Sequence, residues 1–237
     1  MTQSFLDGKL ALVTGASRGI GAATAEALGR AGAHVILVAR TAAGLEEVEE
    51  RIHGFGGNAT IAPLDLIDGE SIARLAAAIG ERWDALDMLV LNAATLGTLT
   101  PVAQIDGKEF NRVLTLNLLA SQALIASFDP MLRRSAAGRL LALTSSVGRT
   151  PRAYWGAYGA SKAALETLVL SYAEETRNLG APRVAIVDPG ATATTMRGRA
   201  FPGEDQATLK PPGAVAGAIL ALLEKDFETG HRLVLEG

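Results

Sequence analysis

Tyr158 and Lys162 stand four residues apart in Tyr158-Gly159-Ala160-Ser161-Lys162, at the start of a predicted helix. That spacing puts them on one face. A tyrosine with its ordinary pKa near 10 is a poor base at neutral pH. An ammonium a few ångströms away favours the phenolate and lowers that pKa. The pair therefore suits proton donation to, or removal from, a substrate oxygen. Alone it means little, since a chain with this content of tyrosine and lysine contains Y-x-x-x-K by chance in roughly 6% of cases. Its surroundings add weight. Ser145 ends a predicted strand thirteen residues earlier, where its hydroxyl can hydrogen-bond a substrate oxygen. Asn117 falls mid-helix in Leu116-Asn117-Leu118-Leu119, an awkward place for an amide without a partner.

A second chemical signal lies near the start. The first predicted strand runs into Thr14-Gly15-Ala16-Ser17-Arg18-Gly19-Ile20-Gly21, and a helix follows. Gly15 permits a sharp exit from the strand, Gly19 lets backbone N–H groups approach a pyrophosphate, and Gly21 lets the helix pack close. A helix N-terminus favours the phosphate charge. The spacing is G-x-x-x-G-x-G, not the commoner G-x-G-x-x-G. NAD-specific folds place a carboxylate at the end of the second strand to bind the ribose 2′-hydroxyl. Here Ala39 holds that place and Arg40 follows. Together with Arg18 it offers two guanidinium groups to a 2′-phosphate, so NADP(H) is the expected cofactor.

These residues need a scaffold. Apolar runs at Leu10–Thr14, His34–Ala39, Ala59–Leu64, Leu86–Leu91, Arg139–Thr144, Val184–Val187 and Arg232–Leu235 read as strands. They are continuous rather than alternating, as expected of strands covered on both faces. Helical patterns fall between them, at Ile20–Ala31, Leu45–His53, Gly69–Trp83, Lys108–Arg134, Ala157–Leu179 and Pro212–Glu224. The alternation predicts an α/β fold, a doubly wound parallel sheet of about seven strands in a single domain spanning 1–237. One long irregular stretch, Thr194–Pro211, is expected at the carboxyl ends of the strands, where it serves as the substrate loop.

Composition removes other classes. Nearly half of the 237 residues are apolar and the net charge is only −3, with both signs interspersed. That argues against a nucleic-acid or anionic-membrane partner. No run approaches the ~18 apolar residues of a membrane span, and the first residues lack a signal-peptide pattern. The chain has no cysteine, which excludes thiolate chemistry and suits the cytoplasm. His34, His53 and His231 lack ligand spacing, so no metal is expected.

With these residues in place, the chain resembles the short-chain dehydrogenase/reductase family, of the type without an added substrate domain. The resemblance covers nearly the whole chain. Thr14–Gly21 matches the family's glycine turn, making Gly15, Ser17, Arg18, Gly19, Ile20 and Gly21 expected nucleotide contacts, with Arg40 beside them. Asp65 matches the aspartate that meets the adenine, and Asn92-Ala93 the segment after strand four. Leu91 and Ala94 replace the asparagine and glycine that flank that segment in the family. Pro189-Gly190, with Thr192 and Thr194, resembles the segment at the nicotinamide amide; Thr192 replaces a branched aliphatic residue. Asn117, Ser145, Tyr158 and Lys162 match the catalytic four. By the resemblance, Ser145 positions the carbonyl, Tyr158 exchanges the proton, and Asn117 holds a water in the relay. Lys162 binds the nicotinamide ribose and lowers the Tyr158 pKa. The implied activity is interconversion of a small-molecule carbonyl and alcohol with NADP(H). An epimerase or dehydratase on the same fold, and a non-catalytic NADP(H) sensor or scaffold, stay open at this point.

Substrate selection is expected in Ala94–Pro101, Val147–Gly156 and Thr194–Pro211. Trp155, Tyr154 and Phe201 either line an apolar pocket or cover the rim of the fold. Arg149 and Arg152 either attract an acidic substrate or sit solvated on a loop. The Lys108–Arg134 helix carries Val113, Leu114, Leu116, Leu118, Leu119, Leu124 and Ile125 nearly all round, more apolar surface than one sheet buries. Ala160, Ala164, Thr167 and Ser171 form a small-residue face on the next helix. Together they predict a twofold four-helix interface in a homodimer or homotetramer, as the resemblance also implies.

Overall fold

The apolar runs pair side by side, all parallel, into one seven-stranded sheet. Its strands are β1 (Leu10–Thr14), β2 (His34–Ala39), β3 (Asn58–Pro63), β4 (Met88–Leu91), β5 (Arg139–Leu143), β6 (Arg183–Asp188) and β7 (His231–Val234). Their spatial order is β3-β2-β1-β4-β5-β6-β7. The order reverses between β1 and β4, the topological switch point at which open α/β sheets bind ligands. The structure, a computed structural model, describes residues 4–225 and 227–236. Of the predicted single domain, Met1–Gln3, Asp226 and Gly237 lie outside the described residues.

Both faces of the sheet are buried, which explains the unbroken apolar strands. Ala11, Val13, Val35 and Leu37 point to one side, with Leu28 of α1 (Gly19–Arg30), Leu45, Val48 and Ile52 of α2 (Ala42–Gly54), and a C-terminal helix, Pro212–Glu224. Leu10, Leu12, Ile36, Val38 and Leu89 point to the other, with Ile72 of α3 (Gly69–Gly80) and three later helical segments. Each fully buried Leu or Ile contributes roughly 1.5–3 kcal/mol of transfer free energy. Pro63 ends an edge strand, where its missing N–H breaks no ladder.

The predicted Lys108–Arg134 helix is interrupted. It comprises α4 (Gly107–Leu114), a π-helical turn over Thr115–Leu119, and α5 (Ala120–Arg134). Asp106 caps α4 by accepting from the Glu109 N–H at 2.9 Å. The π turn alters the facing of the apolar residues. Val113, Leu124 and Ile125 are buried and Leu116 and Leu118 pack on the core, all within the same chain. Leu119 alone of that set is exposed, at 56%. Neighbouring elements thus cover part of this circumference, while Leu114, Leu116 and Leu118 stay half-buried and Leu119 open. α6 (Gly156–Thr176) follows β5, and Ala160, Thr167 and Ser171 lie on its exposed side.

Thr194–Pro211 is also more ordered than expected. Thr194 accepts from the Arg197 N–H at 3.1 Å and caps a short helix, α7 (Thr195–Ala200). A 3-10 turn at Gln206–Thr208 precedes α8 (Pro212–Glu224). Among the described residues no helix is long and apolar enough to cross a membrane.

Candidate active site

The turn after β1 is shaped by contacts that leave no room for side chains. Gly15 sits at φ +65°, and a β-carbon there would lie 2.8 Å from Asn92 Nδ2. A β-carbon on Gly21 would lie 2.2 Å from the Gly15 carbonyl oxygen, so α1 begins against the turn itself. Thr14, buried, organises the junction. Its hydroxyl donates to the Val90 carbonyl (3.1 Å) and accepts from the N–H groups of Asn92 (2.9 Å) and Ala93 (3.1 Å). Asn92 Nδ2 donates to the Thr14 carbonyl at 2.8 Å, so this carboxamide braces the turn from behind.

The first turn of α1 carries no acidic side chain, and its cap, Arg18, makes no side-chain capping bond. Those free N–H groups and the helix dipole favour an oxyanion. Ala16 N–H donates to the Val38 carbonyl (3.1 Å) and Leu64 N–H to that of Ala39 (2.8 Å), which brings the exits of β1, β2 and β3 together. Arg18 and Arg40 are exposed there, and among the described residues neither meets a carboxylate. Asp65, also exposed, holds the next turn through Ile67 N–H (3.1 Å). Ser17 packs where α2 begins, its Cβ 3.0 Å from the place of a β-carbon on Gly44. On the far side, the Thr194 methyl lies 3.5 Å from the place of a β-carbon on Gly19, so the two ends of the cleft adjoin.

Asn117, Ser145, Tyr158 and Lys162 lie at the carboxyl ends of β4, β5 and β6. Tyr158 is 8% exposed and Lys162 2%. The Lys162 Nζ donates to the Leu143 carbonyl (2.7 Å) and lies 5.7 Å from the Tyr158 ring centroid. Burial lowers the Lys162 pKa to about 8, against a smaller opposing pull from Glu166. Burial also raises the Tyr158 pKa, and Asp188 raises it further. This corrects the expectation from charge alone. Loss of hydration around the phenol, with the Asp188 charge, sets the direction. The Tyr158 hydroxyl has no hydrogen-bond partner among the described residues, nor does that of Ser145, half-buried at the exit of β5.

Asn117 is fully buried in the π-helical turn. Its Oδ1 accepts from Thr95 N–H (2.8 Å), and its Nδ2 donates to the Thr95 carbonyl (2.9 Å) and Ser161 Oγ (2.9 Å). Every capacity of the carboxamide except one lone pair is engaged. The side chain ties the segment after β4 to α6, one residue before Lys162.

Two buried carboxylates missing from the sequence reading lie beneath. Glu166, one turn after Lys162, accepts from Thr144 Oγ1 (2.6 Å) and Arg232 Nη1 (2.6 Å), with Arg149 Nε 3.6 Å away. Arg149 Nη2 also donates to Asp188 Oδ2 (2.9 Å), whose other oxygen accepts from Gly190 N–H (3.1 Å). The loop after Ser145, the helix of Tyr158 and the Pro189-Gly190 turn are thus joined by one charge network. Glu166 was discoverable by continuing the i, i+4 spacing from Tyr158 through Lys162. Asp188 was discoverable as a charge closing an apolar strand. Thr192, buried, spends its hydroxyl on the Pro189 carbonyl (3.1 Å).

The mouth over Tyr158 is aromatic and apolar. Trp155 meets Tyr158 edge-on at 5.9 Å and Phe201 at 5.7 Å, while Leu96, Val147, Leu99 and Met196 complete the patch. Tyr154 is exposed and packs in no such cluster.

Residues 9–205 match the family model described as short chain dehydrogenase. The chain belongs to the short-chain dehydrogenase family. It is 37% identical over 227 residues to the uncharacterized oxidoreductase YciK of Escherichia coli (strain K12), covering 94% of this chain and 89% of that one. The crystal structure of a short chain dehydrogenase from Salmonella enterica serovar Typhi superposes with a TM-score of 0.93 at 35% identity, covering 100% and 98% of the chains. A metagenomic short-chain oxidoreductase solved in complex with NADP superposes at 0.84 with 32% identity, covering 98% and 97%. As a short-chain dehydrogenase this protein is an oxidoreductase, and the Rossmann-type sheet is the family's.

Proposed function

We propose that this protein is an NADP(H)-dependent oxidoreductase that interconverts a carbonyl and an alcohol, with Tyr158 as the acid and base. The observation that carries the reading is the pair of unengaged hydroxyls, Tyr158 and Ser145, beside a buried Lys162 at the switch-point end of the sheet. Ser145 holds the substrate oxygen. Tyr158 gives it a proton in reduction and removes one in oxidation, and the Lys162 ammonium stabilises the phenolate that results. The Leu143 carbonyl orients Lys162, and Asn117 positions α6 through Ser161.

The residues present fit the nucleotide. The turn at Gly15, Ser17, Gly19, Ile20 and Gly21 leaves backbone N–H groups for a pyrophosphate. Arg18 and Arg40, both without carboxylate partners among the described residues, suit a 2′-phosphate, and Asp65 is placed for the adenine. Ala93, Pro189, Gly190, Thr192 and Thr194 border the nicotinamide end, where Lys162 also meets the ribose. NADP(H), when bound, supplies or takes up the hydride. The relative solved with NADP supports the same cofactor here. The whole chain acts as one catalytic unit with 194–211 as substrate loop, in a homodimer or homotetramer.

Loss of NADPH absorbance on a panel of ketones, aldehydes, quinones and oxoacyl thioesters tests the reading. Turnover on at least one class is expected. Tight NADPH binding with no turnover on any of them would instead establish a sensor or scaffold.

A further inference from the structure

We propose that Arg152 is the substrate's anion receptor, so that the carbonyl compound turned over carries an oxyanion beyond an apolar portion. The proposal rests on the oxidoreductase reading above and names its substrate class.

Several arginines lie close to the mouth, and most are neutralised. Arg149 is held by Asp188 at 2.9 Å, with Glu166 at 3.6 Å, and Arg232 by Glu166 at 2.6 Å. Arg197 forms a two-pronged pair with Glu204 (Nε to Oε2 2.6 Å, Nη2 to Oε1 2.5 Å). Arg199 on α7 is exposed and rests on no ring. Arg152 differs. Among the described residues it meets no carboxylate, and its exposed guanidinium stands 5.7 Å from the Trp155 ring centroid and 5.9 Å from that of Phe201, whose ring also carries Arg197 at 3.9 Å. Trp155 in turn meets Tyr158, so a single indole separates the guanidinium from the catalytic phenol.

The backbone holds this arrangement at a cost. Trp155 N–H donates to the Arg152 carbonyl (3.2 Å), closing a tight turn in which Tyr154 takes φ +72°. A tyrosine in that region is strained, and such strain concentrates where a ligand is met. The Tyr154 carbonyl is pinned by Thr100 N–H at 3.1 Å, so the turn is anchored to the segment after β4. A guanidinium beside aromatic rings and without a carboxylate partner keeps its N–H groups for a two-pronged bond to carboxylate or phosphate. Trp155 stands between guanidinium and phenol, and Leu96, Val147 and Met196 pack with it and Tyr158 in one apolar patch. The order is therefore hydroxyl pair, apolar wall, cation.

Matched carbonyl pairs test this: 4-formylbenzoate against its methyl ester, and 4-formylphenyl phosphate against 4-methoxybenzaldehyde. The wild type is expected to favour one or both anionic members by about 10- to 100-fold in kcat/KM, carried by KM. The pair with the larger ratio says whether carboxylate or phosphate is the natural group. Arg152→Gln should bring the ratio near one, Arg152→Lys should retain part of it, and KM for NADPH should not move. A wild-type ratio near one, or a ratio unchanged in Arg152→Gln, overturns the proposal. So does a rise in KM for NADPH equal to that for the aldehyde, which would make Arg152 a nucleotide residue. Binding is read independently of turnover by Trp155 emission on a Trp83→Phe background. Terephthalate and 4-carboxyphenyl phosphate should quench it, and their methyl esters and the Arg152→Gln variant should not respond. If no aldehyde is reduced but this quenching appears, the oxidoreductase reading fails and the receptor stands. If aldehydes are reduced without charge preference, the receptor alone fails.

Discussion

The Lys162 Nζ lies 2.7 Å from the Leu143 carbonyl oxygen, inside a protein that otherwise strips the ammonium of water. The consequence is thermodynamic. Its folded pKa, about 8, is below its ordinary 10.5, so the folded state sheds a proton that the unfolded chain keeps. Stability from this group therefore rises with pH between about 8 and 10.5, by on the order of 1–2 kcal/mol from pH 7.5 to 9.5. Urea unfolding of the nucleotide-free protein at those two values should show the rise. Lys162→Met should flatten it.

Removing the phenolic proton leaves the nucleotide site intact. Tyr158→Phe should lower kcat by about 10²–10⁴ while NADPH affinity stays within a factor of about two. Alcohol oxidation by the wild type should accelerate with rising pH, because the raised Tyr158 pKa leaves little phenolate at neutrality. A Tyr158→Phe variant with more than half the activity would remove Tyr158 from the mechanism.

Arg18 and Arg40 are the proposed determinants of nucleotide choice. NADPH should bind at least about tenfold more tightly than NADH at low salt, a difference of only ~1.4 kcal/mol. Arg40→Ala should erode that ratio and leave NADH affinity unchanged. Titration of both nucleotides against both proteins measures it; equal constants in the wild type would exclude a 2′-phosphate role.

Gly21 has no spare volume. A methyl there meets the Gly15 carbonyl and the Asn92 amide at 2.2 and 2.4 Å, both part of the braced turn. Gly21→Ala should cost about 1–3 kcal/mol in chemical denaturation and weaken nucleotide binding more than substrate binding. Gly54→Ala, with open space around it, serves as the control and should be neutral or mildly stabilising.

Assembly is checked by light scattering at micromolar concentration, where a mass above one chain is expected. Leu119→Glu, at the exposed apolar position just before α5, should lower it if that helix forms the contact. A single-chain mass for the wild type would end the oligomer reading.

The sheet was legible because its five inner strands are apolar on both faces, and strand ends shifted by no more than two residues. Gly15 and Gly21 were legible because turn and close approach admit no other residue. What escaped depends on pairings distant in the chain. The π turn at Thr115–Leu119 seats Asn117 against Thr95 and Ser161, and nothing local in Leu116-Asn117-Leu118 signals it. Arg149 and Arg152 look alike in sequence; only the folded positions of Asp188 and Glu166 separate a neutralised cation from one that meets no carboxylate among the described residues. α7 escaped because Gly198 and the flanking Phe201-Pro202 mask a helix that rests on the Thr194 cap.

β7 closes the sheet at one edge, and the site leans on it. Leu235 N–H donates to the Asp188 carbonyl at 2.9 Å, Arg232 holds Glu166, and the Leu235 carbonyl receives the Lys210 Nζ at 3.1 Å. Edge strands open at lower free energy than central ones, because one row of backbone groups has no partner strand. Each transient detachment of β7 therefore loosens the Pro189-Gly190 turn and the Lys210 end of the 194–211 segment together. Breathing of the edge and occupancy of the cleft become two readings of one equilibrium, so amide hydrogens of His231–Val234 report, by their exchange rates, how firmly the distant cleft is held.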